Sequence, residues 1–351
     1  MKIAIVPSSS EYLNNKIFDI KDKKLNRDNL LIPYYKLKEY LNERNIEIQT
    51  YDMFKDLKKV DYIFFFSLNY KIIIKCLMNK MENKMIYFAW EPEVVIDEHS
   101  ESKIFKLKKY FKYIFTWNDD LVNKKGFYKI NNPYYFEDIN LNKKEFKSKK
   151  LMTNISGNKY SNNPKELYTA RRNVIQYFED SNSNEFDFYG VGWSKKEYKN
   201  YKGIVDDKIE IYQNYKFALS LENMIHTNGY ITEKILDCFK AEIVPIYLGP
   251  DNICEYIPNN TFINYADFDN VEQLVNYLSN MSEDTYNNYI KNIRSYKKSS
   301  KINIFSSETF IKYVSDLIYE DKNSEKFNCK LIDKFKIIKM FISKKFKDKR
   351  R

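Results

Sequence analysis

A hydroxyl, a carboxylate and an ammonium stand together in the segment GYITEKILDCF (residues 229–239), as Thr232, Glu233 and Lys234. Thr232 suits an N-cap, because its side-chain oxygen can accept a backbone N–H of the first helical turn. The free N–H groups, the helix dipole and the Lys234 ammonium would favour an anion such as a diphosphate. The Glu233 carboxylate would accept hydrogen bonds from vicinal hydroxyls. The segment therefore predicts a nucleotide-sugar site, although the same residues also fit an ordinary solvated helix start.

The segment FALSLEN (residues 217–223), which precedes this helix, is nearly continuous in apolar and small residues. This pattern predicts a parallel strand that is buried on both faces. Its polar end, Glu222 and Asn223, would then lie at the carboxyl edge of the sheet, where ligands bind in open α/β folds. A polar loop would carry the chain from there to the start of the predicted helix.

Short β-branched and aromatic runs alternate with helical patterns in the first 135 residues, which predicts βαβ units and a parallel sheet. A Lys-rich interval at residues 140–150 separates them from a second alternating region. We therefore predict an α/β fold with two Rossmann-like domains, at residues 1–145 and 146–325, followed by a basic tail at residues 326–351.

Composition argues against several classes of protein. The seven glycines do not fall at the spacings of a GxGxxG or Walker loop, which disfavours a dinucleotide dehydrogenase and a P-loop NTPase. The four cysteines lack CxxC spacing and the chain has two histidines, so neither a disulfide framework nor a structural zinc is expected. The sequence shows no signal-peptide pattern and no apolar run of about 18 residues, which favours a cytoplasmic chain without a membrane span.

The net charge of +11 is concentrated in the tail, since residues 331–351 hold nine Lys or Arg and two Asp, a net +7. A basic nucleic-acid-binding protein is therefore a remote alternative, because the remaining +4 forms no basic stripe. In the tail, apolar residues recur at helical spacing among lysines: Leu331, Phe335, Ile338 and Ile342. A basic amphipathic helix of this kind can lie on the anionic inner face of a membrane. A solvated, loosely packed tail fits the same pattern.

The segment YKFALSLENMIHTNGYITEKILDCFKAEIVPIYLGP (residues 215–250) resembles the signature of the family 10 glycosyltransferases, the α-1,3/1,4-fucosyltransferases. The resemblance implies a GT-B arrangement, with two Rossmann-like domains facing a central cleft. The acceptor would bind the N-terminal domain, and GDP-fucose the C-terminal one. No cofactor is implied beyond this donor, and a divalent metal is not expected to be essential. By the same resemblance the donor-binding residues include Glu222, Asn223, Tyr230, Thr232, Glu233 and Lys234, with Glu233 on the ribose hydroxyls and Lys234 on the diphosphate.

Two positions depart from the family pattern. Relatives often read FENS where this chain has LENM, and some carry a phosphate-binding arginine in the region that here reads SKKEYKNYKG (residues 194–203). Lys195 or Lys196 could substitute there, although a lysine lacks the bidentate fork of a guanidinium. Arg171 matches another family arginine, and we predict it as the second phosphate contact. A solvated arginine on a helix face is the alternative.

A candidate for the catalytic base lies in the N-terminal half, where KMIYFAWEPEVV (residues 84–95) ends a predicted buried strand with two glutamates. An inverting sugar transfer needs one carboxylate to accept the proton of the acceptor hydroxyl. The resemblance places Glu91 at the glutamate of an ESP-like element of the family. Glu93 occupies the position of the proline, and this departure leaves room for a shifted frame. Glu91 is favoured, and Glu93 stays open.

The resemblance therefore implies an inverting transferase that moves L-fucose from GDP-β-L-fucose to a hydroxyl of an oligosaccharide or a lipid-linked glycan. The alternative is a GT-B transferase of another nucleotide-linked sugar in surface polysaccharide synthesis. Asp267 and Asp269 form a DxD pattern, which metal-dependent transferases of another fold use. An ordinary strand end before a helix explains that pattern as well, so no metal site is predicted.

Overall fold

The computed structural model describes residues 1–122, 124–137, 139, 141, 144–321 and 326–348. The chain divides into two compact units, Met1–Pro133 with Ser307–Arg351, and Tyr134–Ser306. Part of the predicted Lys-rich interval and the end of the predicted tail lie outside the described residues: 140, 142, 143 and 349–351.

The first unit is built on a parallel sheet with the strand order β2-β1-β3-β4-β5-β6. Its strands are β1 (Lys2–Val6), β2 (Glu47–Thr50), β3 (Tyr62–Phe65), β4 (Met85–Ala89), β5 (Tyr113–Thr116) and β6 (Phe127–Lys129). Its first helices are α1 (Ile32–Asn42), α2 (Tyr70–Met78), α3 (Glu101–Leu107) and α4 (Asp119–Val122). Adjacent residues of β4, Tyr87 and Phe88, enter two separate cores. Both faces of the strand are therefore covered, which explains its continuous apolar sequence.

The second unit carries a parallel sheet with the strand order β11-β10-β9-β7-β8. Its strands are β7 (Lys150–Ile155), β8 (Phe186–Tyr189), β9 (Tyr215–Leu221), β10 (Val244–Leu248) and β11 (Ile263–Asn264). Its helices are α5 (Tyr168–Asp180), α6 (Lys208–Tyr212), α7 (Glu233–Ala241), α8 (Ile253–Tyr256), α9 (Val271–Ser279) and α10 (Glu283–Lys298). The strand order reverses between β7 and β9, and such a switch point opens a crevice at the carboxyl edge.

Two C-terminal helices, α11 (Ser307–Glu320) and α12 (Leu331–Asp348), belong to the first unit. Phe310 of α11 meets the ring of Tyr34 on α1 edge-on, with centroids 5.9 Å apart. In α12, Ile337 is buried, and Lys334 Nζ lies 2.8 Å from the carboxylate of Glu82. The division thus corrects the predicted boundaries: residues 307–320 pack on the first unit and not the second, and helix α12 of the predicted tail is docked there.

The predicted pair of parallel-sheet α/β domains is confirmed. None of the helices in the described part of the chain combines the length and the apolar content that crossing a bilayer requires.

Candidate active site

Helix α7 begins where the sequence predicts. Thr232 has an extended backbone (φ −116°, ψ −173°), and its Oγ1 accepts the N–H of Lys234 at 3.5 Å. Ile235 and Phe239 are fully buried on the inner side of the helix. The cap and the apolar face together fix the N-terminus of α7 at the carboxyl edge of β9, so the predicted helix start is confirmed.

Glu222 follows β9 directly and has no exposed surface. Its Oε1 accepts the backbone N–H of Thr232 at 2.8 Å and the hydroxyl of Tyr247 at 3.2 Å. Its Oε2 accepts the Thr232 hydroxyl at 2.8 Å and Lys234 Nζ at 3.2 Å. A carboxylate enclosed by four donors braces the helix start from inside. The hydrogen bonds give Glu222 a bracing role that the sequence did not predict, and its contact with the donor stays a prediction.

Tyr247, in β10, is a member of this group that sequence reasoning missed. Burial, followed by the charge of Glu222, raises the pKa of Tyr247 well above its ordinary value, so its hydroxyl stays protonated and donates to the carboxylate. At Gly249 a Cβ atom would lie 2.8 Å from Glu222 Cγ and from the Tyr247 hydroxyl oxygen. Only glycine permits this close approach, so the glycine of the VPIYLG segment is the feature of the sequence that could have indicated the packing of Tyr247 against Glu222.

Arg171, on α5, is buried and holds the end of β9. Its Nη2 donates to the carbonyl oxygens of Leu221 at 2.6 Å and Glu222 at 2.5 Å, and to Asn223 Oδ1 at 3.2 Å. Asn223 Nδ2 in turn donates to the hydroxyl of Tyr230 at 3.3 Å. Burial lowers the pKa of Arg171, and the charge of Glu222 opposes that shift. Arg171, Asn223 and Tyr230 thus form one buried network with Glu222. Their contact with the donor stays a prediction.

Glu233 and Lys234 are the predicted residues of the helix start whose side chains reach the surface, with 48% and 23% exposure. Burial raises the pKa of Glu233, but the charges of Lys234 and Lys208 outweigh it and bring the pKa to about 2. Burial lowers the pKa of Lys234, but Glu222 and Glu233 outweigh it, so this pKa is raised. Both groups are therefore ionised near neutral pH, as binding of hydroxyls and an anion requires.

Lys196 lies apart from this group. It is exposed in the segment after β8, where its backbone N–H donates to Ser194 Oγ at 3.3 Å. No described hydrogen bond or ion pair joins Lys196 to α7 or to the end of β9. Lys196 is thus not part of the hydrogen-bonded group at the start of α7, and its contact with the diphosphate stays a prediction.

In the first unit, Glu91 and Glu93 follow β4 and are both half-buried. His99 Nδ1 donates to the backbone carbonyl of Glu91 at 2.5 Å, and the Tyr87 hydroxyl donates to His99 Nε2 at 2.6 Å. Burial lowers the pKa of His99 to about 4, and the hydrogen bond to the Glu91 carbonyl and the charge of Glu98 oppose this shift only in part. A neutral histidine thus fixes the backbone at the predicted base, a role that its place in the sequence did not indicate.

Comparison with known families decides where the chain belongs. The model of the C-terminal part of glycosyltransferase family 10 (fucosyltransferase) matches residues 145–333, more than half of the chain. The chain belongs to glycosyltransferase family 10. The predicted family membership is thereby confirmed, and the match covers α5, β9 and α7.

Two named relatives of this family 10 chain are similar over limited segments. The mouse (Mus musculus) 4-galactosyl-N-acetylglucosaminide 3-alpha-L-fucosyltransferase 9 is 39% identical over 113 residues, which is 32% of this chain and 30% of the relative. The Helicobacter pylori alpha-(1,3)-fucosyltransferase FucT is 35% identical over 74 residues, 21% of this chain and 15% of the relative. The matched segments thus span less than a third of either relative.

Solved structures share the fold over nearly the whole chain. An α1,3-fucosyltransferase with GDP matches with a TM-score of 0.58 and 14% identity, over 94% of this chain and 92% of that one. An α1,3-fucosyltransferase with GDP-fucose gives 0.54 and 17%, over 93% and 92%. Anabaena HepE in complex with UDP-glucose gives 0.54 and 11%, over 91% and 100%. These matches support the predicted GT-B fold class.

Proposed function

We propose that this family 10 chain transfers L-fucose from GDP-β-L-fucose to a hydroxyl of a glycan acceptor, with inversion at the anomeric carbon. The observation that carries the proposal is the start of α7, where ionised Glu233 and Lys234 reach the surface and the buried Glu222 carboxylate holds Lys234. The family membership and the α-1,3-fucosyltransferase names of the relatives support fucose as the transferred sugar.

Lys234 and the N-terminus of α7 would bind the diphosphate. The ammonium offers three donors, and the free N–H groups of the first turn add the positive end of the helix dipole. Negative charge grows on the diphosphate as the glycosidic bond breaks, and preorganised donors stabilise such growing charge most. Lys234 is therefore expected to contribute to turnover as well as to donor binding. Glu233 would accept the ribose hydroxyls.

Glu91 is our candidate for the base, with Glu93 as the other possibility. The oxygen of the acceptor hydroxyl forms a bond to C1 of fucose while the bond from C1 to the β-phosphate oxygen breaks. The hydroxyl proton moves to the carboxylate, and GDP leaves with the bonding electron pair. A β-linked donor that reacts with inversion gives an α-linked fucoside.

The test is transfer from GDP-fucose to N-acetyllactosamine, with UDP-glucose as the competing donor and calorimetry of GDP against UDP. We expect fucosylated product, tighter binding of GDP, and activity that survives EDTA. Equal affinity for GDP and UDP together with transfer of glucose would replace fucose by another nucleotide-linked sugar. Failure to release fucose from GDP-fucose, both with N-acetyllactosamine and with oligosaccharides that end in galactose, glucose or N-acetylglucosamine, would overturn the proposal.

We also propose that α12 attaches the protein to an anionic membrane surface. Ile337 and Lys334 dock the helix on the first unit, whereas Leu331 and Phe335 on another face are 70% and 63% exposed. Lysines flank this exposed stripe, and the tail carries a net +7. An apolar stripe with basic flanks fits the interface of an anionic bilayer.

Vesicle sedimentation tests this attachment. Phe335→Ser should weaken binding to phosphatidylserine-containing vesicles, while Phe105→Ser, at an exposed phenylalanine of α3, should not. Point variants are preferable to deletion of the tail, because deletion would uncover the contacts of Ile337. Binding that Phe335→Ser leaves unchanged would exclude this surface.

A further inference from the structure

A cavity of about 690 Å³ opens in the second unit at the carboxyl ends of β10 and β11. Its volume lies within the range of about 300–1,000 Å³ that is typical of small-molecule sites. The carboxyl edge of a parallel sheet is also where ligands of α/β folds bind. None of the predicted donor-binding residues lines the cavity, so its chemistry is separate from the α7 helix start.

The walls combine aromatic rings with uncharged or negative polar groups. The aromatic lining consists of Tyr247, Phe262, Phe268, Tyr277 and Tyr289. The rings of Phe268 and Tyr277 lie 5.4 Å apart at 51°, and Tyr277 is 42% exposed. Among the described residues that line the cavity there is no lysine, arginine or histidine. An anion such as a phosphate would meet only Asp251 and Asp267, which repel it.

Asp267 provides a preorganised acceptor in this cavity. Asn264 Nδ2 donates to Asp267 Oδ1 at 2.8 Å, and no described residue donates to Oδ2. Asp269, two residues on, does not line the cavity and pairs with Gln273 through a hydrogen bond of 3.3 Å. The two carboxylates of the DxD pattern therefore face different partners, which leaves Asp267 as a hydroxyl acceptor beside aromatic rings.

The cavity is linked to the helix start by direct hydrogen bonds. Tyr247 lines the cavity and donates to Glu222, which in turn holds Lys234. On the rim, His226 Nδ1 donates to Asp251 at 2.9 Å. These hydrogen bonds connect the loop before α7 to the wall of the cavity. A ligand in the cavity would therefore lie close to the residues predicted to bind the sugar nucleotide.

We propose that this cavity binds a neutral sugar ring, with its hydroxyls on Asp267 and Asn264 and its C–H face on Tyr277. Aromatic surface with a few convergent polar groups is the composition that such a ligand needs. The inference rests on the proposed function, since either the glycan acceptor or the transferred fucose could supply the ring.

Calorimetry and saturation-transfer NMR on the full chain with GDP bound test the site, with N-acetyllactosamine and methyl α-L-fucoside as probes. Asp267→Asn should weaken binding of one probe about tenfold, the change expected for one hydrogen bond to a charged group. Tyr277→Ala should weaken binding of the same probe, because it removes the aromatic face. Asp269→Asn is the matched control and should change nothing. Asp267→Asn keeps the acceptor for Asn264, so it decides the matter even if Tyr277→Ala misfolds.

The probe that loses affinity identifies the source of the sugar, acceptor or donor. Equal binding of both probes to wild type and Asp267→Asn would overturn the site, and so would a parallel loss of GDP affinity. The proposed function is tested separately: fucose transfer by Asp267→Asn with unchanged KM values for both the acceptor and GDP-fucose removes the cavity but keeps the function. Loss of probe binding in a chain that transfers no fucose keeps the cavity and removes the function.

Discussion

The ends of β9 and β4 carry the same signal in the sequence and have different surroundings in the structure. A glutamate comes just after each buried strand, at Glu222 and at Glu91. Glu222 is fully buried among four hydrogen-bond donors. Glu91 is only half-buried, and His99 donates a hydrogen bond to its backbone carbonyl.

This difference shows that a polar residue at a strand end can either reach the surface itself or position a neighbouring residue that does. At the end of β9, the partly exposed charged group is Lys234, and the buried Glu222 carboxylate holds its ammonium. At β4, the glutamate itself stays accessible and a neutral histidine acts behind it. Substitutions at the two ends should therefore differ in size and in the step that they affect.

The largest effect is expected for Glu91→Gln. Removal of a general base costs about 10²- to 10⁴-fold in rate, so kcat should fall by that factor with GDP affinity unchanged. Glu93→Gln is the matched control and should retain at least half of the activity. Steady-state kinetics with saturating GDP-fucose measures both. A large loss in Glu93→Gln together with an active Glu91→Gln would move the base to Glu93.

Lys234→Ala should lower kcat/KM by about 100- to 1,000-fold, because one preorganised donor to the developing charge on the diphosphate is removed. Binding of GDP, measured by calorimetry, should weaken less than turnover does. Lys196→Ala serves as the control, since Lys196 does not join the α7 group, and it should stay near wild type. Wild-type turnover in Lys234→Ala would show that the diphosphate binds elsewhere.

His99 makes stability depend on pH. Its folded pKa of about 4 lies below the ordinary 6.5, so the unfolded chain binds the proton first as the pH falls. Stability from neutral His99 is therefore present at high pH and is lost between pH 6.5 and 4. At pH 5 the loss relative to high pH is about 30-fold in the unfolding equilibrium constant, or about 2 kcal/mol of unfolding free energy.

Urea unfolding of wild type and His99→Gln at pH 7.5 and pH 5 measures this contribution. Glutamine does not titrate, so the variant should lose less stability than wild type between the two pH values. Parallel pH dependence in both proteins would argue against a neutral, buried His99.

Glu222→Gln should have the smallest effect of the four, about a tenfold loss of GDP affinity, because it removes the charge that holds Lys234 but leaves the nucleotide contacts in place. A double-mutant cycle sharpens this expectation. If Glu222 acts only through Lys234, the double variant should be no worse than Lys234→Ala. Additive losses would mean that Glu222 contacts the donor itself, as the sequence had suggested.

Local patterns in the sequence predicted much of the fold. The apolar run FALSLEN became β9, and Thr232 caps α7, because burial on two faces and helix capping depend on neighbouring residues. The segments that flank α7, LEN before it and VPIYLG after it, carried the family resemblance that assigned this helix start to a donor site. The return of α11 and α12 to the first unit had no local signal, since their contacts join residues far apart in the chain.

By itself the sequence determined the two parallel-sheet domains, the family, and the place of the helix start with Glu233 and Lys234. The tertiary structure alone decided which of the predicted residues reach the surface. Arg171, Glu222, Asn223 and Tyr230 are buried together because donors from α5, α7 and β10 converge on the end of β9. Burial and pairing depend on all the elements that meet at one point, whereas a residue type and its spacing describe only one of them.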